Sequence, residues 1–500
     1  MGLFISSKSQ ATRHGAYAIE VQPPLSITAT GTGIVAHVAQ FPWGPVASLT
    51  DPGSYKAALD TFAPAGMSRT GSGYLGLAKK GWPGLRIVRV LGPTAVAASV
   101  TLASSAPTNI IVVTAKYPGT AGNSLTATVS AASDGDANHF NLLVQVTGAT
   151  GTTQDLFENL NYSGTGADSV PSFTSTLLVG NIAKSNSGRP INGTFSLTSG
   201  TDGAITSAEY VGTAGAPDKG ISLCEADKTI RHIVADDCGN SLRAAVNAGL
   251  LAHANLMGDR IAYINGNSGL TLAATISDRA SYSSKFCVYV DSWYRMYDDT
   301  AGTLRLLPPA ALAASVTAQL ASSTSPSWKS KEVKAMTSCV VSVESDRGEA
   351  AGTATANGIM TMIKEETGGF CYEAGVLTIA PADRSQENIT RTRMLIFIAK
   401  SLLSSVREIG DAPNVPVNQD DIMTAVTGFA EGLKRSKSVD PNHNEHIVDY
   451  AIQSSRSANT TTGIQQGDFE VNGEFQLSNQ IKRIFFNLKV GETVTVSVSG

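Results

Sequence analysis

In the first ninety positions, apolar residues fall in short runs. Ala16 to Val21 alternates and sets Tyr17, Ile19 and Val21 on one face of a strand. Pro23-Pro24 ends that strand, because proline donates nothing to a ladder. Gly33 to Gln40 and Leu85 to Leu91 are short, apolar and β-branched, the pattern of buried strands. Between them, Asp51 to Leu59 reads as a short helix with Asp51 as cap and Pro52 in its first position. Tyr74 to Lys80 is a second helical segment.

From Pro93 to about Asp202 the texture changes to Thr, Ser, Gly and Val with few charges. Ile110 to Thr114, Ser124 to Val129 and Phe140 to Thr147 read as strands separated by Gly and Asn turns, an inserted all-β domain. Helical spacing returns after Ile205. Leu242, Ala245, Val246 and Leu250 share a face of a helix over Cys238 to Leu251, and Arg260 to Ile264 follows as a strand. Lys285 to Val290 is another strand. The polar turn Asp298-Asp299-Thr300-Ala301-Gly302 then leads to Leu304–Leu307, which completes a hairpin with it. Strands alternating with helices predict an α/β unit.

Leu395, Ile398, Leu402, Val406 and Ile409 step by three or four, which predicts an amphipathic helix over Arg391 to Ile409. Asp411 to Val417 reads as a loop with two prolines. Asp420 to Leu433 follows as a helix with acidic Asp420 and Asp421 at its start. Lys434, Arg435 and Lys437 come just after its end, as the helix dipole prefers. Two strands close the sequence: Ile484, Phe486, Leu488 and Val490 share one face, then Val494, Val496 and Val498 share another. The fold class predicted is multidomain α/β (α+β).

Composition narrows the function. Of the 500 residues, 16% are charged, against about 25% in ordinary domains. A surface so weakly charged is poorly protected from self-association and suits a protein packed against copies of itself. Lys+Arg 37 against Asp+Glu 41 leaves a net charge of -4, which argues against a direct nucleic-acid coat. No apolar run approaches the ~20 residues of a membrane span, and the N-terminus lacks the apolar stretch of a secretory signal. Met1-Gly2-Leu3-Phe4-Ile5-Ser6 matches the short myristoylation pattern, a modification expected to go unused in a bacterial or viral product. The 5 cysteines are odd in number and outside any CxxC spacing, so buried reduced thiols are expected.

Each chemical motif has a plainer reading. Gly31-Thr32-Gly33-Ile34-Val35-Ala36 imitates a dinucleotide fingerprint, but a β-branched run follows where a helix must start, so it reads as a strand entrance. His443-Asn444-Glu445-His446 places two imidazoles three apart beside a carboxylate, with no third metal ligand nearby in sequence. Asp236 and Asp237, beside Cys238, sit where a helix cap and a first-turn acid are expected. The Lys434–Lys437 run could touch an acidic partner, but a solvated helix end is the default reading of a single charge run. No catalytic residue, cofactor-binding residue or metal ligand is assigned.

The chain ends are more informative. Val494, Val496 and Val498 form an apolar stripe on an edge strand, and Tyr17, Ile19 and Val21 form another behind the Pro-Pro break. Uncovered edges of this kind invite pairing with another chain. Terminal strands exchanged between identical subunits make an open, repeating assembly.

Four stretches resemble the contractile tail sheath family of myophages, tailocins and type VI secretion systems. Gly15-Ala16-Tyr17-Ala18-Ile19-Glu20-Val21 resembles the family's opening P-G-V-Y-x-x-E, with Ala for Val and no proline. Phe41-Pro42-Trp43-Gly44-Pro45 resembles its G-x-A-x-x-G-P turn. Leu85-Arg86-Ile87-Val88-Arg89-Val90 resembles its arginine-bearing v-v-R-V strand. Tyr117-Pro118-Gly119-Thr120-Ala121-Gly122-Asn123 matches the P-G-x-x-G-N turn that opens the inserted domain. Leu307-Pro308-Pro309-Ala310 and the helix from Arg391 are weaker echoes. The family's Asp-rich, Trp-containing stretch is faint around Trp328, and its Asn-rich follow-on is absent.

The resemblance implies an N-terminal arm over 1–22 and a middle α/β domain over 23–93 and 206–371. It further implies an outer β domain over 94–205, an inner tube-facing domain over 372–489 and a C-terminal arm strand over 490–500. It implies a virion structural protein, made in a host bacterial cytoplasm, that polymerises around the tail tube. On a baseplate signal, subunits rearrange as near-rigid bodies and drive the tube through the host envelope for genome ejection. Tail tube, baseplate and tail terminator proteins are the implied partners, and no cofactor is expected. Intersubunit strands at Tyr17, Ile19, Val21, Val494, Val496 and Val498 fit this scheme. So does a tube contact at Asp420, Asp421, Lys434, Arg435 and Lys437. The alternatives are another self-assembling virion or tail structural protein, or a nucleotide-dependent enzyme using the Gly31 region.

Overall fold

The computed structural model describes residues 4–5, 18–19, 33–67, 84–104, 109–148, 150–162, 176–184, 188–298, 303–327, 336–340, 349–364, 370–379, 382, 387–406, 415–435, 447–454 and 470–477. The chain divides into two compact units. One holds residues 28–404. The other joins residues 1–27 to 405–500, so residues 372–404 group with the large unit.

An eight-stranded sheet organises the large unit. Its order is Phe370–Tyr372, Ile359–Lys364, Cys287–Asp291, Ile261–Asn265, His232–Ala235, Val35–Ala39, Leu85–Arg89, Leu49–Thr50. The six inner strands run parallel and the two edge strands run antiparallel to their neighbours. Alternate residues enter two cores. Val35, Ile87, Val234, Val288 and Met360 pack on one face with the apolar helix Ala310–Ala318. Ala36, Val88, Ile233, Ala262 and Tyr289 pack on the other with Val246 and Leu250 of the helix Gly239–Met257. Cover on both faces is what an all-apolar parallel sheet requires.

The run after Gly31 is indeed a strand, Val35–Ala39, so the dinucleotide fingerprint lacks its helix. Other expectations shift. The first helix is Tyr55–Phe62, capped by Ser54, whose hydroxyl accepts from Ala57 N. Asp51 instead accepts from Gly53 N at 3.0 Å and pairs with Arg86 at 2.7 Å, which holds it outside the helix. Leu304 lies in a hairpin, but strand Thr303–Leu307 pairs with Trp293–Asp298 and not with Cys287–Asp291. Ser292, at φ 140°, breaks the chain between those two strands. Nor does Asp236 cap a helix. Helix Gly239–Met257 starts behind Cys238 with no acid in its first turn. Asp236 is fully buried, with Oδ2 3.5 Å from His37 Nε2.

The inserted body is all-β. Four antiparallel strands, in the order Gly151–Asn161, His139–Gly148, Thr126–Ala131, Gly193–Ser196, form one sheet. Val179–Lys184, Asn109–Ala115 and Ser99–Ala103 form a second. Residues from both sheets, among them Ile111, Val113, Ala127, Leu142 and Val144, share one core.

In the smaller unit, Phe4–Ile5 and Ala18–Ile19 pair in parallel, with Ile5 opposite Ile19. The helix Pro416–Arg435 begins a turn before Asp420. Proline is tolerated in a first turn, where its missing N–H would find no partner. The residues read as a loop up to Val417 therefore include the helix start. Asp420 and Asp421 fall past its first turn, and Lys434 and Arg435 lie inside its last. Ile447–Ser454 and Val471–Leu477, unforeseen from the sequence, form an antiparallel hairpin.

Candidate functional site: the Arg89 joint and the assembly segments

Three of the stretches that resemble sheath motifs meet at one side chain. Arg89 ends strand Leu85–Arg89 and is 1% exposed. Its Nε donates to Phe41 O at 2.8 Å, Nη1 to Gly44 O at 2.9 Å, and Nη2 to both Pro42 O and Pro118 O at 2.9 Å. The planar fork of a guanidinium can serve several diverging carbonyls at once. Burial pushes Arg89 down to about 10, and Asp202 and Tyr117 oppose that shift.

Both turns are shaped for this. Gly44 lies at φ 106°, and a Cβ there would come 2.5 Å from the Phe62 ring. Gly119 lies at φ 127°, where a Cβ would sit 2.7 Å from Arg89 Nη2 and 2.9 Å from Asp202 Oδ1. Neither position accepts a side chain without strain.

The chain enters the inserted body after Gly92 and returns at Asp202, and the two crossings are tied together. Gly92 N donates to Asp202 O at 2.8 Å. Thr120 donates to the Asp202 carboxylate from N at 2.9 Å and from Oγ1 at 2.6 Å. Asn123 and Gly200 exchange bonds of 2.9 and 2.8 Å. Trp43, from the sheet side, packs into the core of the inserted body, edge-on to Tyr117 with centroids 5.4 Å apart. A desolvated cation and an interlocked aromatic tie the two bodies together at this junction.

The smaller unit carries the charged residues expected near a tube. Lys434 Nζ is 2.8 Å from Asp449 Oδ1 and 5.7 Å from the Tyr450 ring centroid. The hydrogen bond from Lys434 holds Asp449 below the usual carboxylate range, and Asp449 raises Lys434 in turn. Tyr450 Oη donates to Glu431 Oε1 at 2.5 Å. Asp420 and Asp421 are exposed near the other end of the helix. Fourteen positions at about 1.5 Å each put Asp420 roughly 21 Å from Lys434 along the axis. The structure therefore does not bring the acidic and basic ends together.

No protein-family model and no curated protein matches the sequence. Solved structures match its fold. The sheath tail protein of Desulfitobacterium hafniense matches at TM-score 0.62 with 15% identity, over 88% of this chain and 93% of that one. The sheath tail protein of Listeria innocua matches at 0.60 with 14% identity, over 90% and 96%. A subunit of the anti-feeding prophage helical sheath in its contracted state matches at 0.55 with 13% identity, over 97% and 100%.

The chain has the contractile tail sheath fold.

Within this sheath fold, Ile19 is paired with Ile5 of the same chain. Tyr17, Val21, Val494, Val496, Val498 and Lys437 lie outside the described residues, as do His443 and His446. Arg435 closes the helix. Among the described residues, no three His, Cys, Asp or Glu side chains are grouped to hold a metal, and no helix is long and apolar enough to cross a membrane. Cys224, Cys238, Cys287 and Cys371 are buried and in no disulfide. Burial pushes the Cys224 and Cys287 thiols up to about 12 and Cys238 to about 11.

Sequence reasoning singled out the Arg89 strand and both partner turns, but not that they meet at Arg89. It also passed over His37, whose signal is a lone polar residue in the apolar run Val35-Ala36-His37-Val38-Ala39.

Proposed function

We propose that this chain is the repeating subunit of a contractile bacteriophage tail sheath. The observation that carries this reading is the near end-to-end match, 97% of this chain against 100% of the other, to a subunit of an assembled helical sheath. Subunits polymerise around a tail tube and join the baseplate at one end and a terminator at the other. Contraction drives the tube through the host envelope for genome ejection. The work comes from the larger interface that subunits share in the contracted array, and no catalytic step is involved. The terminal strands around Tyr17, Ile19, Val21 and Val494, Val496, Val498 link neighbours, while the inserted β body lies outward. The Arg89 joint supports this reading, because a rearrangement of rigid bodies needs each body to transmit force without internal slack.

Electron microscopy of the concentrated full-length protein tests the proposal. Hollow helical tubes with a bore wide enough for a tail tube are expected. A protein that stays monomeric at every concentration and salt, alone and with tube protein, overturns it.

A further inference from the structure

A site apart from the Arg89 joint lies at one end of the large sheet. It is a small pocket at the amino ends of strands His232–Ala235 and Ile261–Asn265, lined by Arg231, His232, Ile261, Ser322, Arg393, Ile396 and Phe397. The pocket is partly open to solvent and has a volume of about 10 Å³, room for one water-sized particle.

Among the described residues, its charges do not balance. Arg231 is 9% exposed and Arg393 is 4% exposed. Arg260 and Lys400 stand behind them, yet Asp259 is shared by those two, at 2.9 Å from Arg260 Nε and 2.5 Å from Lys400 Nζ. The next carboxylate, Asp227, is held by Arg86 Nε at 2.8 Å. Among the described residues, Arg393 meets only carbonyls, Thr324 O at 3.0 Å and Leu320 O at 2.5 Å. Arg231 Nη1 donates to Lys228 O at 2.7 Å, but its buried Nε has no partner. Burial pushes Arg393 down to about 10 and lowers Arg231 as well, the latter opposed in part by Asp259 and Asp227.

A buried cation that lacks its counter-charge is costly, and an orphaned buried N–H adds to that cost. One small anion in the pocket meets both needs, since it accepts from Arg231 Nε and supplies the negative charge facing Arg393. We propose that this pocket binds a single monovalent anion of halide size, which stabilises the amino edge of the large sheet. The proposal is independent of the sheath reading.

The test is thermal unfolding of the full-length protein in rising sodium chloride, against sodium gluconate at equal ionic strength. Both salts screen charge alike, but gluconate is too large for the pocket. Chloride is expected to raise the melting temperature saturably above the gluconate curve, as ligand linkage requires. Arg231→Gln should weaken the apparent chloride affinity by about tenfold or more. Ser322→Asp places a carboxylate in the pocket. It should melt higher than the parent in gluconate and lose the chloride response, which keeps the test decisive if Arg231→Gln does not fold. Superimposed chloride and gluconate curves for the parent, or a full chloride response in either variant, overturn the proposal.

Discussion

Arg89 Nη2 donates to the Pro118 carbonyl at 2.9 Å and so fastens the sheet body to the first turn of the inserted β body. The same nitrogen also holds Pro42 O. One buried nitrogen thus bridges two turns, and the joint depends on a side chain with several donors.

Replacing Arg89 by Ala removes the guanidinium donors to four carbonyls, so a loss of about 3 kcal/mol or more is expected in urea unfolding. Arg89→Lys should recover only part of it, because a single ammonium cannot span carbonyls on both turns. Full stability of Arg89→Lys contradicts the fork geometry.

Gly119→Ala places a Cβ against Arg89 and Asp202 at a φ that side chains rarely adopt. The expected cost is about 2 kcal/mol or more, read as a lowered melting temperature. A neutral effect shows that the turn can move away from Arg89.

His253 gives stability a pH dependence. Burial, aided by Arg260, pushes it down to about 4 from an ordinary 6.5. Between those values the unfolded chain binds the proton and the folded chain does not, so stability falls as pH drops through that window. The shift corresponds to about 3 kcal/mol at most. Comparing urea midpoints at pH 7 and pH 4.5, His253→Gln should lose less stability than the parent. An equal loss in both proteins removes His253 as the cause.

Lys434 is committed to Asp449, so a simple charge reversal has two readings. Lys434→Glu should weaken co-assembly with tube protein at low salt. The swap Lys434→Glu with Asp449→Lys restores the local pair and separates the readings. Co-assembly that stays weak in the swap supports a tube contact at Lys434, and full recovery assigns Lys434 to holding the hairpin alone.

Removing residues 1–21 or 491–500 should leave a folded, soluble monomer that cannot polymerise, checked by sedimentation and microscopy. Normal tubes from either truncation eliminate exchanged terminal strands as the linkage between subunits.

The sequence by itself determined several buried strands and two long helices of the large unit, but not the central strand His232–Ala235, the strand Ile359–Lys364 or the buried helix Ala310–Ala318. Val35–Ala39, Leu85–Arg89, Asn109–Ala115 and Ile389–Val406 were legible because burial on a sheet or helix face imposes a period on the chain. It also marked the three motif stretches that meet at the joint. Only the tertiary structure decided what local signals leave ambiguous. Asp51 and Ser54 are both good caps, and the helix started at Ser54 because Arg86, distant in sequence, engaged Asp51. Asp236 has the composition of a helix start, yet strand pairing buried it beside His37. Arg89 reads as one more charge at a strand end. Its role exists only where turns 45 and 29 residues away present their carbonyls to it. Periodicity reports which face of an element is buried, whereas the partner of a polar group is set by how distant segments pack together.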